Sequence, residues 1–169
     1  MCRSGAVRHA LLLLLTLGIT LFAGCLLSTA TAAGSRPTSK ACPATLVEGD
    51  AVRAGLFRGL IAKDYDVVDG RFSLRVGGMR TETMSSKIPW FVSSSYRVEH
   101  QLRIAGRGYY ATARRFTQMQ QRAGGGPGRG GVFPSIIDPP TAGCWRLTFR
   151  SGDAFGQVTV FVRPAVATP

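Results

Sequence analysis

The stretch Gly143-Cys144-Trp145-Arg146-Leu147-Thr148-Phe149 alternates apolar and polar side chains with a period of two. That period puts Trp145, Leu147 and Phe149 on one face of a strand, with Cys144, Arg146, Thr148 and Arg150 on the other. Ser151-Gly152-Asp153 interrupts the pattern with turn residues. Residues 157–163 resume it, with Val158, Val160 and Val162 opposite Gln157, Thr159 and Arg163. Two such runs around a short glycine-containing connection predict an antiparallel hairpin with one buried face. Pro164 cannot donate to a ladder and ends the hairpin.

Upstream, several short runs are bounded by turn residues. Residues 56–62 are apolar, and 71–76 alternate Phe72, Leu74 and Val76 with Arg71, Ser73 and Arg75. Residues 96–104 place Val98, His100, Leu102 and Ile104 on one face, and 109–116 form a weaker candidate strand. Short strands with frequent turn signals predict an all-β fold, an antiparallel sandwich of immunoglobulin-like type. Pro89 places Lys87-Ile88-Pro89-Trp90-Phe91 at a sheet edge. Trp90 there either plugs the core or, with Lys87 beside it, offers a carbohydrate platform; burial of the aromatic is the favoured reading. Residues 118–131 contain the glycine-rich run 123–131, which is expected to form a mobile surface loop. Arg122 and Arg129 among those glycines suggest an RGG-type segment, but one short run does not favour nucleic acid as a partner.

The first part of the chain has a different character. Arg3, Arg8 and His9 precede an apolar run over 10–23, the pattern of an export signal and too short for a comfortable membrane span. Leu21-Phe22-Ala23-Gly24-Cys25 resembles a bacterial lipobox, which implies residues 1–24 as signal peptide and Cys25 as the lipidated first residue. Ala30-Thr31-Ala32 offers a competing site for ordinary signal peptidase. Residues 25–41 read as a flexible linker, and 42–165 as the sandwich domain. Beyond the leader only Cys42 and Cys144 remain, and two cysteines in an oxidising compartment are expected to pair. With Trp145 facing the core, Cys144 points to the outer face or sits at the strand mouth, so the bond would pin the N-terminal segment across the sheet.

These residues resemble a group of uncharacterised bacterial exported proteins and lipoproteins with an immunoglobulin-like β-sandwich. The resemblance rests on Cys42-Pro43-Ala44-Thr45, on Ser86-Lys87-Ile88-Pro89-Trp90 with the strand 102–107, and on Phe133-Pro134-Ser135 followed by the closing Gly143-Cys144-Trp145 hairpin. It implies a fold and an address, an exported membrane or envelope protein, and brings no catalytic residue.

Chemistry is sparse. His100 and Glu99 are neighbours on a run read as strand, so they point to opposite faces and form no dyad. Beyond the leader, one histidine and two distant cysteines do not make a zinc site, and no cofactor motif is present. Asp64, Asp66 and Asp69 could offer oxygens to calcium, although acidic turn residues explain them equally well. No Gly-x-Ser-x-Gly elbow occurs. The formal charge of +12 favours anionic partners such as membrane headgroups or envelope polymers. The sequence therefore points to an exported, lipid-anchored surface module, binding or structural, with no identifiable catalytic activity. Its expected partners are the membrane and anionic envelope polymers or another envelope protein. The alternative is a surface enzyme acting on wall or glycan material, with Trp90 and the acidic cluster lining a cleft.

Overall fold

A computed structural model describes residues 42–81 and 83–165. The predicted hairpin is its centre. β9 (Gly143–Ser151) and β10 (Ala154–Arg163) run antiparallel, with Trp145 opposite Val160 and Leu147 opposite Val158. Trp145, Leu147, Phe149, Val158, Val160 and Val162 are all buried, each worth about 1.5–3 kcal/mol of apolar burial. The Trp145 indole N–H donates to the Thr141 carbonyl at 2.9 Å, so this buried aromatic leaves no orphan donor. Gly152 makes the turn with φ 54°, and a Cβ there would lie 2.6 Å from the Arg97 carbonyl oxygen. Both the positive φ and the close approach exclude a side chain.

The remaining elements are β1 (Ala51–Ala54), β2 (Phe57–Leu60), a single helical turn α1 (Lys63–Asp66), β3 (Val67–Val68), β4 (Arg71–Arg75), β5 (Lys87–Val98), β6 (Gln101–Gly108), β7 (Arg115–Gln121) and β8 (Gly128–Ile136). They form two packed sheets, one of four strands in the order β1-β2-β5-β8 and one of six in the order β3-β4-β10-β9-β6-β7. The fold is thus the all-β sandwich that the strand pattern predicts. One pairing departs from a purely antiparallel scheme: β10 lies parallel to β4. Between the sheets, Trp90 packs on Phe149 with ring centroids 4.4 Å apart, and Phe57 and Phe72 close around this pair.

Several local expectations change. The run 56–62 holds one strand, β2, and β1 precedes it to make a hairpin that begins earlier than the run. Pro89 lies in β5, which is central in the four-stranded sheet rather than an edge. It is tolerated because the β2 ladder stops at Trp90, one residue short of it, and across from it stands another proline, Pro134. Residues 96–104 are two strands joined by a bend at Glu99-His100. Ser151 fastens that bend, accepting from the Glu99 N–H at 3.0 Å and donating to the Gln101 carbonyl at 2.7 Å. His100 is therefore exposed in a turn, not on the face of Leu102. Residues 109–114 are turn, and β7 starts only at Arg115.

The expected loop over 123–131 is shorter: 123–127 form the connection, while 128–131 already belong to β8. Arg122 gathers the short connection that remains, donating to the carbonyls of Gly125, Gly126 and Gly130. Its guanidinium replaces the packing that glycines cannot supply.

Cys42 and Cys144 form a disulfide, with Cα atoms 5.4 Å apart. It lies on the outer face of the six-stranded sheet in a second small cluster with Ala44 and Phe161, against which Tyr109 packs. The N-terminal segment is also laced into the sheet by backbone: the Thr45 N–H donates to Thr159, and Thr45 accepts from Phe72.

Candidate functional site

The alternation that buries Leu102, Ile104, Trp145, Leu147 and Phe149 has a necessary counterpart on the solvent side. Arg103 and Arg107 project outward from β6, and Arg146 and Arg150 from β9. The register then places Arg103 directly across from Arg150, and Arg107 directly across from Arg146. On the other side of β6, Arg107 also faces Arg115 of β7. Two rows result, Arg115-Arg107-Arg146 and Arg103-Arg150. Thr117, Ala105, Thr148 and Gln157 lie in the row between them. Four residues of strand separate the arginine rows, a spacing of about 13 Å.

Directly opposed side chains sit about 5 Å apart, where like charges repel. Among the described residues none of these five arginines has an ion pair. Arg107 donates to the Thr112 carbonyl, and Arg146 lies over the Tyr109 ring at 5.1 Å, but neither contact neutralises charge. Glu99 stands at the rim beside Arg103 and Arg150. Met119 and Phe155 flank the second row and are both about half exposed, at 50% and 53%. The arrangement is a cationic platform with apolar margins. Arginine keeps its charge across the physiological range and presents forked donors, so the platform is suited to holding anions rather than to moving protons.

The residues singled out in the sequence are placed elsewhere and do not converge. Trp90 is completely buried between the sheets, so it cannot stack on a sugar, and Lys87 stands alone at the exposed start of β5. Asp66 is also buried, and its carboxylate is already engaged. It accepts from Arg80 Nε at 3.1 and 3.2 Å, from Arg80 Nη2 at 2.5 Å, and from the Ala62 N–H at 3.0 Å. Asp64 is exposed on α1 and Asp69 lies in a turn with φ 51°. No group of three potential metal ligands occurs among the described residues, which corrects the calcium reading. The cleft required by the enzymatic alternative therefore does not form from Trp90 and the acidic cluster. Cys25, the leader and the linker lie outside the described residues.

The arginine rows were legible in part. Arg103/Arg107 and Arg146/Arg150 are each four apart, which places each pair on one side of its own strand. That the two strands are neighbours, in this register, is a long-range fact with no local signal. No family model, curated protein or solved structure matches the chain. Fold and surface together define a two-sheet β-sandwich with one arginine-rich outer face.

Proposed function

We propose that this chain is an exported, lipid-anchored cell-surface binding module whose six-stranded sheet engages anionic polymers of the envelope. The observation that carries the reading is the pair of arginine rows, which have no counter-ions among the described residues. A polymer with regularly spaced anionic groups would neutralise both rows at once, which a single small ion cannot do. The leader pattern ending at Cys25 supports the anchor. The resemblance of the Gly-Cys-Trp hairpin to bacterial exported lipoproteins supports the address. Strand order supports the immunoglobulin-like assignment: β10-β9-β6-β7 follows G-F-C-C′ of a variable-type sheet, and β2-β5-β8 follows A-B-E.

The test uses protein extracted from native membranes, whose intact mass should include diacylglycerol on Cys25, and soluble polyphosphate as the polymeric probe. Binding should weaken steeply with added salt, because counter-ions compete for the rows. Replacing Arg103, Arg107, Arg146 and Arg150 together by Ser should lower affinity by about tenfold or more and flatten the salt dependence. Unchanged affinity in that variant would overturn the reading.

A further inference from the structure

A second group of arginines lies on the same sheet, beyond Phe161 and the disulfide. β4 and β10 pair in parallel with Arg75 beside Arg163, again two like charges in adjacent register positions. Here the surroundings are more enclosed. Arg163 has its pKa held below the ordinary arginine value, first by burial and then by the neighbouring Arg75 guanidinium, with Asp66 opposing. Arg163 Nη2 donates to the Tyr65 carbonyl. Among the described residues the buried Nε atoms of Arg75 and Arg163 have no hydrogen-bond partner, a costly condition for any donor and more so for a charged one.

The nearest buried carboxylate cannot relieve it. Asp66 is gripped by the Arg80 fork and by the Ala62 N–H. All three arginines line one cavity of about 550 Å³, together with Asp64, Thr81 and Thr83. Thr81 Oγ1 accepts from the Met84 and Thr83 N–H groups at 3.1 and 3.4 Å, which leaves its own hydroxyl proton to donate. Among the described residues, three guanidinium groups stand against the two carboxylates of Asp64 and Asp66, an excess of positive charge.

We propose that the cavity between Arg75, Arg80 and Arg163 is a discrete binding site for a phosphate group, separate from the polymer-facing rows. The donors come from two adjacent strands and from the loop carrying Thr81, so they do not share a plane. A tetrahedral oxyanion can meet donors arriving from three directions, whereas a planar carboxylate satisfies a single fork. Bound phosphate would also supply the charge that the opposed arginines lack.

The probe is inorganic phosphate, titrated by calorimetry and by the arginine Nε–Hε NMR signals at constant ionic strength. Acetate serves as the carboxylate control. Phosphate should bind saturably and shift the Arg75 and Arg163 signals, while acetate should bind about tenfold more weakly or worse. Arg75→Met should abolish the phosphate response yet leave stability in chloride unchanged or higher, because it removes a repulsive neighbour. The four-serine variant of the outer rows should keep the response in full, which separates this site from the polymer-binding surface. Three results would overturn the proposal: no saturable shift of the Arg75 and Arg163 signals in the unaltered protein, equal affinity for acetate, or an undiminished response in folded Arg75→Met. Glu82, which follows Thr81 in the chain, supplies a fourth arm. Phosphate binding that emerges only in Glu82→Gln would mean that the chain's own carboxylate fills the cavity.

Discussion

On the four-stranded sheet Arg53 stands across from Arg58, and on the six-stranded sheet Arg103 stands across from Arg150. The same juxtaposition is treated in opposite ways. Arg53 has Glu48 at 3.4 Å and Arg58 has Asp50 at 3.4 Å, both carboxylates coming from the turn that precedes β1. Among the described residues Arg103 and Arg150, like Arg107 and Arg146, have no such partner, and the row between them is made of Ala105 and neutral threonines and glutamine. Like charges about 5 Å apart on a wet surface cost on the order of 1 kcal/mol or less. Relief of that repulsion therefore needs only two turn residues, as β1 and β2 show. A surface where the relief is missing four times over is one on which charge is available to something outside the chain.

The largest effect should come from beneath the two surfaces, where a shared core holds both. Trp145 fills the inner layer directly behind the arginine rows and packs edge-on against Phe116 at 5.4 Å. Trp145→Ala should lower unfolding stability by about 3–5 kcal/mol in urea titrations. A loss no greater than that of Arg150→Ala would mean that the inner and outer sides of β9 are wrongly assigned. Next comes the disulfide on the rows' own side of the sheet. Replacing Cys42 and Cys144 by serine should cost about 2–4 kcal/mol without abolishing the fold, because the core between the sheets is independent of it. Circular dichroism with thermal melts would check this, and loss of the folded signal at room temperature would contradict it.

The smallest effects test the comparison itself. Arg150→Glu would give Arg103 the opposite charge that Arg53 already has. Stability should rise by up to about 1 kcal/mol at low ionic strength, and the gain should disappear in molar salt. Glu48→Gln with Asp50→Asn makes the converse change and should cost about 1 kcal/mol or less, again only at low salt, since both pairs are well exposed. If Arg150→Glu is neutral at every salt concentration, the two sheets do not differ in the way their ion pairs suggest.

The sequence discloses the β9–β10 hairpin because a period of two runs along both strands, with Phe161 its one apolar exception in 157–163, and the turn carries the glycine that such a turn needs. It conceals the β5–β6 boundary for a related reason. Val98, Leu102 and Ile104 keep the same parity across the bend at Glu99-His100, so the periodicity runs on where the strand does not. β8 was hidden by composition: Gly128, Gly130 and Gly131 look like loop, yet β5 provides the partner, and Arg129 donates to the Ser94 and Ser95 carbonyls across the gap. The acidic residues misled because Asp66 finds its partner in Arg80, fourteen residues away, through folding rather than proximity. Both arginine groups depend on which strands become neighbours. Local pattern shows the side on which a residue lies and says nothing of what stands across from it.

The placement of β10 has a kinetic consequence. It is the last described strand in the chain, yet it sits inside the six-stranded sheet, with β4 on one side and β9 on the other. Until it arrives, β3 and β4 have no link to the rest of that sheet, and β4 and β9 are both open edges. The contact that closes the gap joins Leu74 to Val162, almost ninety residues apart, and pairings of such long range are slow to form. A chain emerging in order from ribosome or pore therefore cannot complete this sandwich by instalments. It stays open until residue 163 is free to pair.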